Sequence, residues 1–171
     1  VIQTLDFFPQ KVGHFRYEGD LSLFIKKIYS LKSTLPNVQN KFLKDLVYKT
    51  DMDLLDRYSD FFSLKEYLQT NINSFFNQVY QVKESWAHIY SKYGHSSLHT
   101  HGTRSLSGVF YLQTSLENCL FIHNKNNIDE VREITPQNGD IIIFDGNQPH
   151  STTPNLSNQD KIIIAFNLIK V

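Results

Sequence analysis

From about residue 83 onward the chain is written in short β-rich runs, and nothing else in it constrains the fold as tightly. ESWAHIYSKY, LSGVFYLQ, CLFIHN, EVREIT, GDIIIFD and DKIIIAFNLIKV follow one another, separated by clusters of Gly, Asn, Pro, Ser and Asp. Branched and aromatic side chains suit a pleated surface, and the polar clusters are turn chemistry, so at least six strands are expected. The preceding part has a helical period. In DLSLFIKKIYSLKS, Leu21, Phe24, Ile25, Ile28 and Leu31 recur on one face behind Asp20, a candidate N-cap. A second helix is read from FFSLKEYLQTNINSFFNQVYQV. There Ser63 and Glu66 have capping-box spacing, Phe62 and Tyr67 staple spacing, and Leu68, Ile72, Phe75, Phe76 and Val79 share a face. Residues 34 to 60 are mixed and polar, and are read as loop with a short helix or strand. Helices first and strands afterwards predict an α+β fold, the helices packed on an antiparallel sandwich or barrel.

Composition narrows the function classes. The 171 residues suit one domain with a sizeable core, 1–82 mainly helical and 83–171 mainly strand. The 17 basic and 17 acidic residues cancel, so no overall field favours nucleic acid or an anionic membrane. With the single cysteine Cys119 there is neither an intrachain disulfide nor a thiolate zinc cage. Cys119 is read as a small buried hydrophobe, and a reducing cytoplasm as the compartment. No apolar run approaches the roughly 18 residues of a membrane span, and a signal-peptide pattern is not seen. There is no nucleophile elbow for a Ser-His-Asp hydrolase, and Cys119 lies in an apolar strand pattern unsuited to a Cys-His one.

The histidines carry the chemistry. Taken singly, each of the seven reads as a hydrogen-bonded or partly exposed side chain. His99 and His101 differ, because imidazoles at i and i+2 on an extended chain point to one side, at a spacing one metal ion can bridge. About fifty residues on, NGDIIIFDGNQPHSTTP reads as a buried strand, a tight turn and then His150 at the start of the next extended piece. Two ligands from one strand and a third from a distant one is how small β-barrels assemble a metal site.

SWAHIYSKYGHSSLHTHGTRSLSGVFYL, GDIIIFDGNQPHSTTP and KIIIAFN, taken in order, resemble the iron(II)- and 2-oxoglutarate-dependent oxygenases. The resemblance is narrower to small oxygenases of bacteria and phages with H-x-H, S-G-V-x-Y-L, G-D-x-x-x-F and P-H, and more distant to prolyl hydroxylases. It covers roughly residues 84–169. It implies a double-stranded β-helix, a jelly-roll or cupin-like barrel buttressed by helices. His99 matches the first metal ligand of the family and His150 the distal one. His101 falls where most of the superfamily has Asp or Glu, which keeps the geometry but leaves the metal more positive. Asp145 and Glu117 are the nearest candidate acids to complete the shell.

The resemblance also implies a cation for the far carboxylate of 2-oxoglutarate. Lys161, eleven residues after His150, matches it, and alternates with Ile163, Ala165 and Asn167 on one face of its strand, opposite Ile162, Ile164, Phe166 and Leu168. A lysine facing into a barrel needs an anion, and the carboxylate would supply one. Ile163 stands where many relatives have Ser. Tyr111 matches a tyrosine whose hydroxyl helps hold the same group, and shares a face with Ser107 and Val109. Trp86, His88 and Tyr90 alternate on a strand leading to the site; His95 and Arg104 are candidates for its surroundings. The implied cofactors are Fe(II) and 2-oxoglutarate, with O2 as co-substrate and ascorbate admitted as an accessory reductant. The implied reaction decarboxylates 2-oxoglutarate to succinate while oxidising a C–H bond of a small molecule or a protein side chain, in a monomer or homodimer. Two alternatives stay open: a three-histidine cupin-like dioxygenase without 2-oxoglutarate, against which Lys161 speaks, and a non-catalytic metal- or ligand-binding domain.

Overall fold

The structure is a computed structural model, and it describes every residue except 1, 2, 8, 9, 40–42 and 44. Its larger sheet orders seven antiparallel strands as β1 (Gln3–Phe7), β2 (Gln10–Arg16), β8 (Asp140–Asp145), β5 (Leu106–Gln113), β10 (Lys161–Lys170), β4 (Tyr80–Tyr90) and β3 (Val47–Lys49). The smaller orders β7 (Val131–Ile134), β6 (Leu120–His123) and β9 (His150–Thr152), again antiparallel. Two main helices accompany them, α1 (Ser22–Thr34) and α3 (Phe62–Phe76), with a single turn α2 (Leu54–Arg57) between.

Strand β10 separates two cores, as its alternation requires. Ile162, Ile164, Phe166 and Leu168 join a cluster with Phe24, Ile28 and Leu31 of α1 and Leu64, Leu68 and Ile72 of α3. This is the helix-covered face of the large sheet. Ile163 and Ala165 face the other way and join Val109 and Tyr111 of β5, Ile142 and Phe144 of β8, and Leu120 and Ile122 of β6. Side chains from both sheets thus fill the second core. Burying each Ile or Phe contributes about 1.5–3 kcal/mol, so the two faces are held in register by many such terms. Gly108 on β5 keeps the first core closed, because an added Cβ would lie 2.6 Å from Ile143 Cδ1 and closer still to the Phe166 ring.

Several expectations need correction. Strands precede the helices: β1 and β2 form a hairpin, and β2 pairs with β8, so the N-terminal part is less helical than its sequence suggests. Its signal is weak because the two apolar residues of QKVGHFR, Val12 and Phe15, point to opposite faces and into different cores, so no alternation marks the strand. The capping box at Ser63 is not used, since a 3-10 turn at Ser59–Phe61 leads into α3 and places Ser63 inside the helix. That helix stops at Asn77, in a left-handed conformation (φ 48°), so Val79 is exposed rather than on the apolar face. Asp20 does support α1, its Oδ1 accepting the Ser22 amide at 2.8 Å, although the N-cap position itself is Leu21. Within 34–60 the structure contains both a strand, β3, and a short helix, α2.

Candidate metal centre

The turn after β8 builds one side of the site. Asp145 opens it, its carbonyl accepting the Gln148 amide at 2.9 Å and its Oδ1 the Asn147 amide at 3.0 Å, and the chain re-emerges as β9 at His150. The segment carrying His99 lies antiparallel beside it: the His99 amide donates to the His150 carbonyl (3.1 Å) and the His150 amide to the His99 carbonyl (3.0 Å). Two residues on, the His101 amide donates to the Gly146 carbonyl at 2.7 Å. Gly146 has to be glycine, because a Cβ there would press into the Arg104 backbone, 2.6 Å from its carbonyl carbon. Backbone pairing therefore brings the three histidines together.

The ligand atoms of His99, His101 and His150 all lie within 4.8 Å of one another. His101 Nε2 and His150 Nε2 stand 3.3 Å apart. A metal–nitrogen bond of about 2.0–2.1 Å puts neighbouring ligand nitrogens about 3 Å apart, so the spacing suits one ion. The tautomers follow from the partners. His99 Nδ1 is 2.7 Å from the Ser97 carbonyl and His150 Nδ1 2.8 Å from the Gln148 carbonyl; carbonyls only accept, so Nδ1 carries the proton and Nε2 keeps its lone pair. Burial, then the neighbouring His99, pushes the pKa of His101 down to about 4 and that of His150 to about 3, so both are neutral at pH 7. His150 is 4% exposed and His101 half-buried, while His99 faces solvent.

Behind the imidazoles a narrow pocket runs into the second core, with Trp86, His88, Tyr90, Tyr111 and Lys161 on its walls. Lys161 is 1% exposed, its ammonium 4.5 Å from the centre of the Tyr90 ring, and no carboxylate pairs with it among the described residues. Desolvation pushes its pKa down to about 8. Tyr111 is buried beside it in the lining, with the hydroxyl pKa pushed up by the same cause. The Tyr90 hydroxyl is bound to His88 Nδ1 (2.9 Å) and Ser96 Oγ (2.7 Å). Each residue singled out along these strands thus lines one pocket. Ile163, as expected, offers no hydroxyl there.

Other candidates fall elsewhere. Asp145 is exposed and 3.5 Å from Lys125, Glu117 is exposed, and no carboxylate joins the three imidazoles among the described residues. Arg104 forks onto Glu84, Nε donating to Oε2 at 3.0 Å and Nη2 to Oε1. His95 Nδ1 rests 3.2 Å from the Tyr93 carbonyl. The Cys119 thiol is buried but not purely apolar in its contacts, since it donates to Glu133 at 2.9 Å.

A polar cluster beneath the site escapes a reading by motif. Asn167 donates to Glu84 at 2.9 Å and accepts from Ser107 at 2.8 Å, tying β10, β4 and β5 together. Arg104 holds the Glu84 carboxyl below its usual range, and the resulting anion favours the charged form of His101. The signal was present in the alternation: Glu84 shares a strand face with Trp86, and Asn167 one with Lys161, both polar in otherwise inward positions.

Comparison with known proteins agrees with this geometry. Residues 84–167 match the family described as "Putative 2OG-Fe(II) oxygenase". No curated protein matches the chain. Among solved structures, the non-heme alpha ketoglutarate dependent epimerase SnoN from nogalamycin biosynthesis superposes with a TM-score of 0.75 at 9% identity, covering 92% of this chain and 77% of its own. HygX from Streptomyces hygroscopicus, with nickel and 2-oxoglutarate bound, gives 0.68 at 12% identity, covering 92% and 82%. A prolyl-4-hydroxylase from Pseudomonas putida gives 0.62 at 12%, covering 91% of each chain. At such identities these likenesses speak for the fold, while the family match speaks for the half that holds the imidazoles, Tyr111 and Lys161. Through residues 84–167, the chain belongs to the 2OG-Fe(II) oxygenases.

Proposed function

We propose that this protein is an iron(II)- and 2-oxoglutarate-dependent dioxygenase that couples decarboxylation of 2-oxoglutarate to hydroxylation of a substrate. The fold is read as a double-stranded β-helix, a reading supported by the strand order β8-β5-β10-β4 facing β7-β6-β9, with the His99 segment beside β9. His99, His101 and His150 hold the metal through their Nε2 atoms, and Lys161 with Tyr111 holds the far carboxylate of 2-oxoglutarate.

One observation carries the proposal: a buried ammonium without a carboxylate partner among the described residues stands in the same pocket as three convergent imidazoles. A charge in that position is costly alone, and the anion of the co-substrate offsets the cost. The donor set fits the cofactors. Three imidazoles on one side of a pocket suit a transition metal with positions left open, and an ammonium and a phenol suit a carboxylate. The metal, when bound, supplies the oxygen chemistry; the protein supplies orientation and a dry pocket. Tyr90, fixed by His88 and Ser96, presents its ring to Lys161 and limits where the ammonium can reach. With no carboxylate beside the three imidazoles among the described residues, a metal held there would keep its full positive charge and favour an anionic chelate.

The test is stoichiometric turnover. The protein supplied with Fe(II), O2 and labelled 2-oxoglutarate is expected to release CO2 and succinate in equal amounts, slowly without substrate, and not at all in His150→Ala. Release unaffected by His150→Ala refutes the assignment. Metal binding without any decarboxylation moves the protein to the three-histidine dioxygenases or to a non-catalytic role.

A further inference from the structure

On the solvent side of the imidazoles lies a second, open cleft of about 820 Å³, whose walls include Lys49, Met52, Trp86, His88, His95 and Leu98. Its charge is one-sided. The titratable described residues on its walls are Lys49, His88, His95, His99 and His101, all basic, with no Asp or Glu among them. With His101 neutral at pH 7 and burial holding His88 neutral as well, Lys49 is the permanent cation among these described residues.

Among the described residues three groups bordering the cleft lack a partner, His88 Nε2, the Lys49 ammonium and the Trp86 indole N–H, and the last two stand together. Lys49 is half-buried on β3, its ammonium 4.8 Å from the centre of the Trp86 ring, and no ion pair forms on it among the described residues. The carboxylate whose field reaches it, Glu84, is already clamped by Arg104 and Asn167. Trp86 is 4% exposed, and its indole N–H is buried with no acceptor among the described residues. Buried donors are nearly always satisfied, by protein, water or ligand. Trp86 borders both the inner pocket and this cleft, and its ring lies 5.6 Å from that of His101. An acceptor bound by these two groups therefore stands next to the proposed metal centre.

We infer, resting on the oxygenase reading above, that the substrate carries an oxyanion, a carboxylate or a phosphate, which Lys49 and the Trp86 indole N–H bind in this cleft. The anion supplies Lys49 with its missing counter-charge and Trp86 with its missing acceptor. Anchored there, the substrate presents carbons next to the anion to the metal centre. The same two donors reject a neutral isostere, because it would leave the ammonium uncompensated.

Trp86 is the only tryptophan of the chain, so its emission reads the site directly. Protein loaded with Zn(II), its 2-oxoglutarate binding first measured by calorimetry, is saturated with that co-substrate. It is then titrated with acetate, methyl phosphate and neutral acetamide. A saturable change of Trp86 emission is expected with the anions and not with acetamide. Lys49→Met should weaken the response at least about tenfold, and Lys49→Arg should restore it. Trp86→Phe, followed by calorimetry, should weaken anion binding as well. The inference is overturned if 2-oxoglutarate binds but the anions give no saturable response. It is equally overturned if a natively folded Lys49→Met responds as wild type does, which would leave Lys49 as a cap on the Trp86 ring. If 2-oxoglutarate does not bind and a Lys49-dependent anion response persists, the oxygenase reading falls and the anion site stands.

Discussion

Lys161 is held in the folded chain against its own solvation. Its pKa lies at about 8 in the fold against an ordinary 10.5. Between those values the unfolded chain binds a proton that the native one does not, so Lys161 makes stability rise with pH through that window. Below pH 8 its full penalty is present. Lys161→Met should therefore stabilise the ligand-free protein by about 2–3 kcal/mol at pH 7 and remove the rise above pH 8, as measured by urea unfolding at several pH values. The same variant should weaken 2-oxoglutarate at least about 100-fold, since a buried carboxylate would then lack its cation. In wild type, 2-oxoglutarate affinity should be flat below pH 8 and fall about tenfold per unit above it, by calorimetry. A Lys161→Met protein that is less stable and still binds 2-oxoglutarate normally would contradict the role given to this residue. Lys161 was legible because it is a charge at an inward position of an apolar strand. Lys49 was not: nothing around YKT marks its ammonium as bordering a metal site, because β3 reaches Trp86 only through its pairing with β4.

Among the elements, the β8–β9 turn does most to fix the metal geometry. It delivers His150, and its Gly146 carbonyl holds the amide of His101. Gly146→Ala forces the Arg104 backbone away and displaces His101 with it. The expected result is an about 10- to 100-fold loss of metal affinity, measured by competition with a chelator, in a protein that keeps native circular dichroism. Unchanged affinity would mean that the His101 segment finds its place without the turn. The alternation along β10 and β5 was readable residue by residue, since each face has its own core. The β1–β2 hairpin was not, because it pairs with β8 across more than a hundred residues of chain and local propensity carries little of that choice. The boundary at Asn77 was equally hidden, a left-handed residue other than glycine being poorly marked in sequence.

For the molecule as a whole, the site lies between the two sheets, with the helices on the far face of the larger one. Ligands that bind between the sheets tie them together, and ligand binding is linked to unfolding. At about 100 times its dissociation constant a ligand adds about 2.7 kcal/mol, which for a chain of this size raises the melting temperature by about 5–10 °C. Metal and 2-oxoglutarate together should exceed either alone in differential scanning calorimetry, and His99→Ala should abolish the joint increment. Among the described residues, no helix is long and apolar enough to cross a membrane. The order of motifs in the second half made the family readable, whereas the cleft around Lys49 and Trp86 is assembled from distant segments that no linear motif describes.

On the proposed function, three imidazoles would hold iron(II) while 2-oxoglutarate chelates it and reaches Lys161. Anaerobic titration of the metal-free protein with Fe(II) and then 2-oxoglutarate, followed by visible absorption, tests it most directly. A weak charge-transfer band is expected in wild type, none in His99→Ala, and a band in Lys161→Met only at far higher 2-oxoglutarate. Iron binding with no band at millimolar 2-oxoglutarate would contradict it.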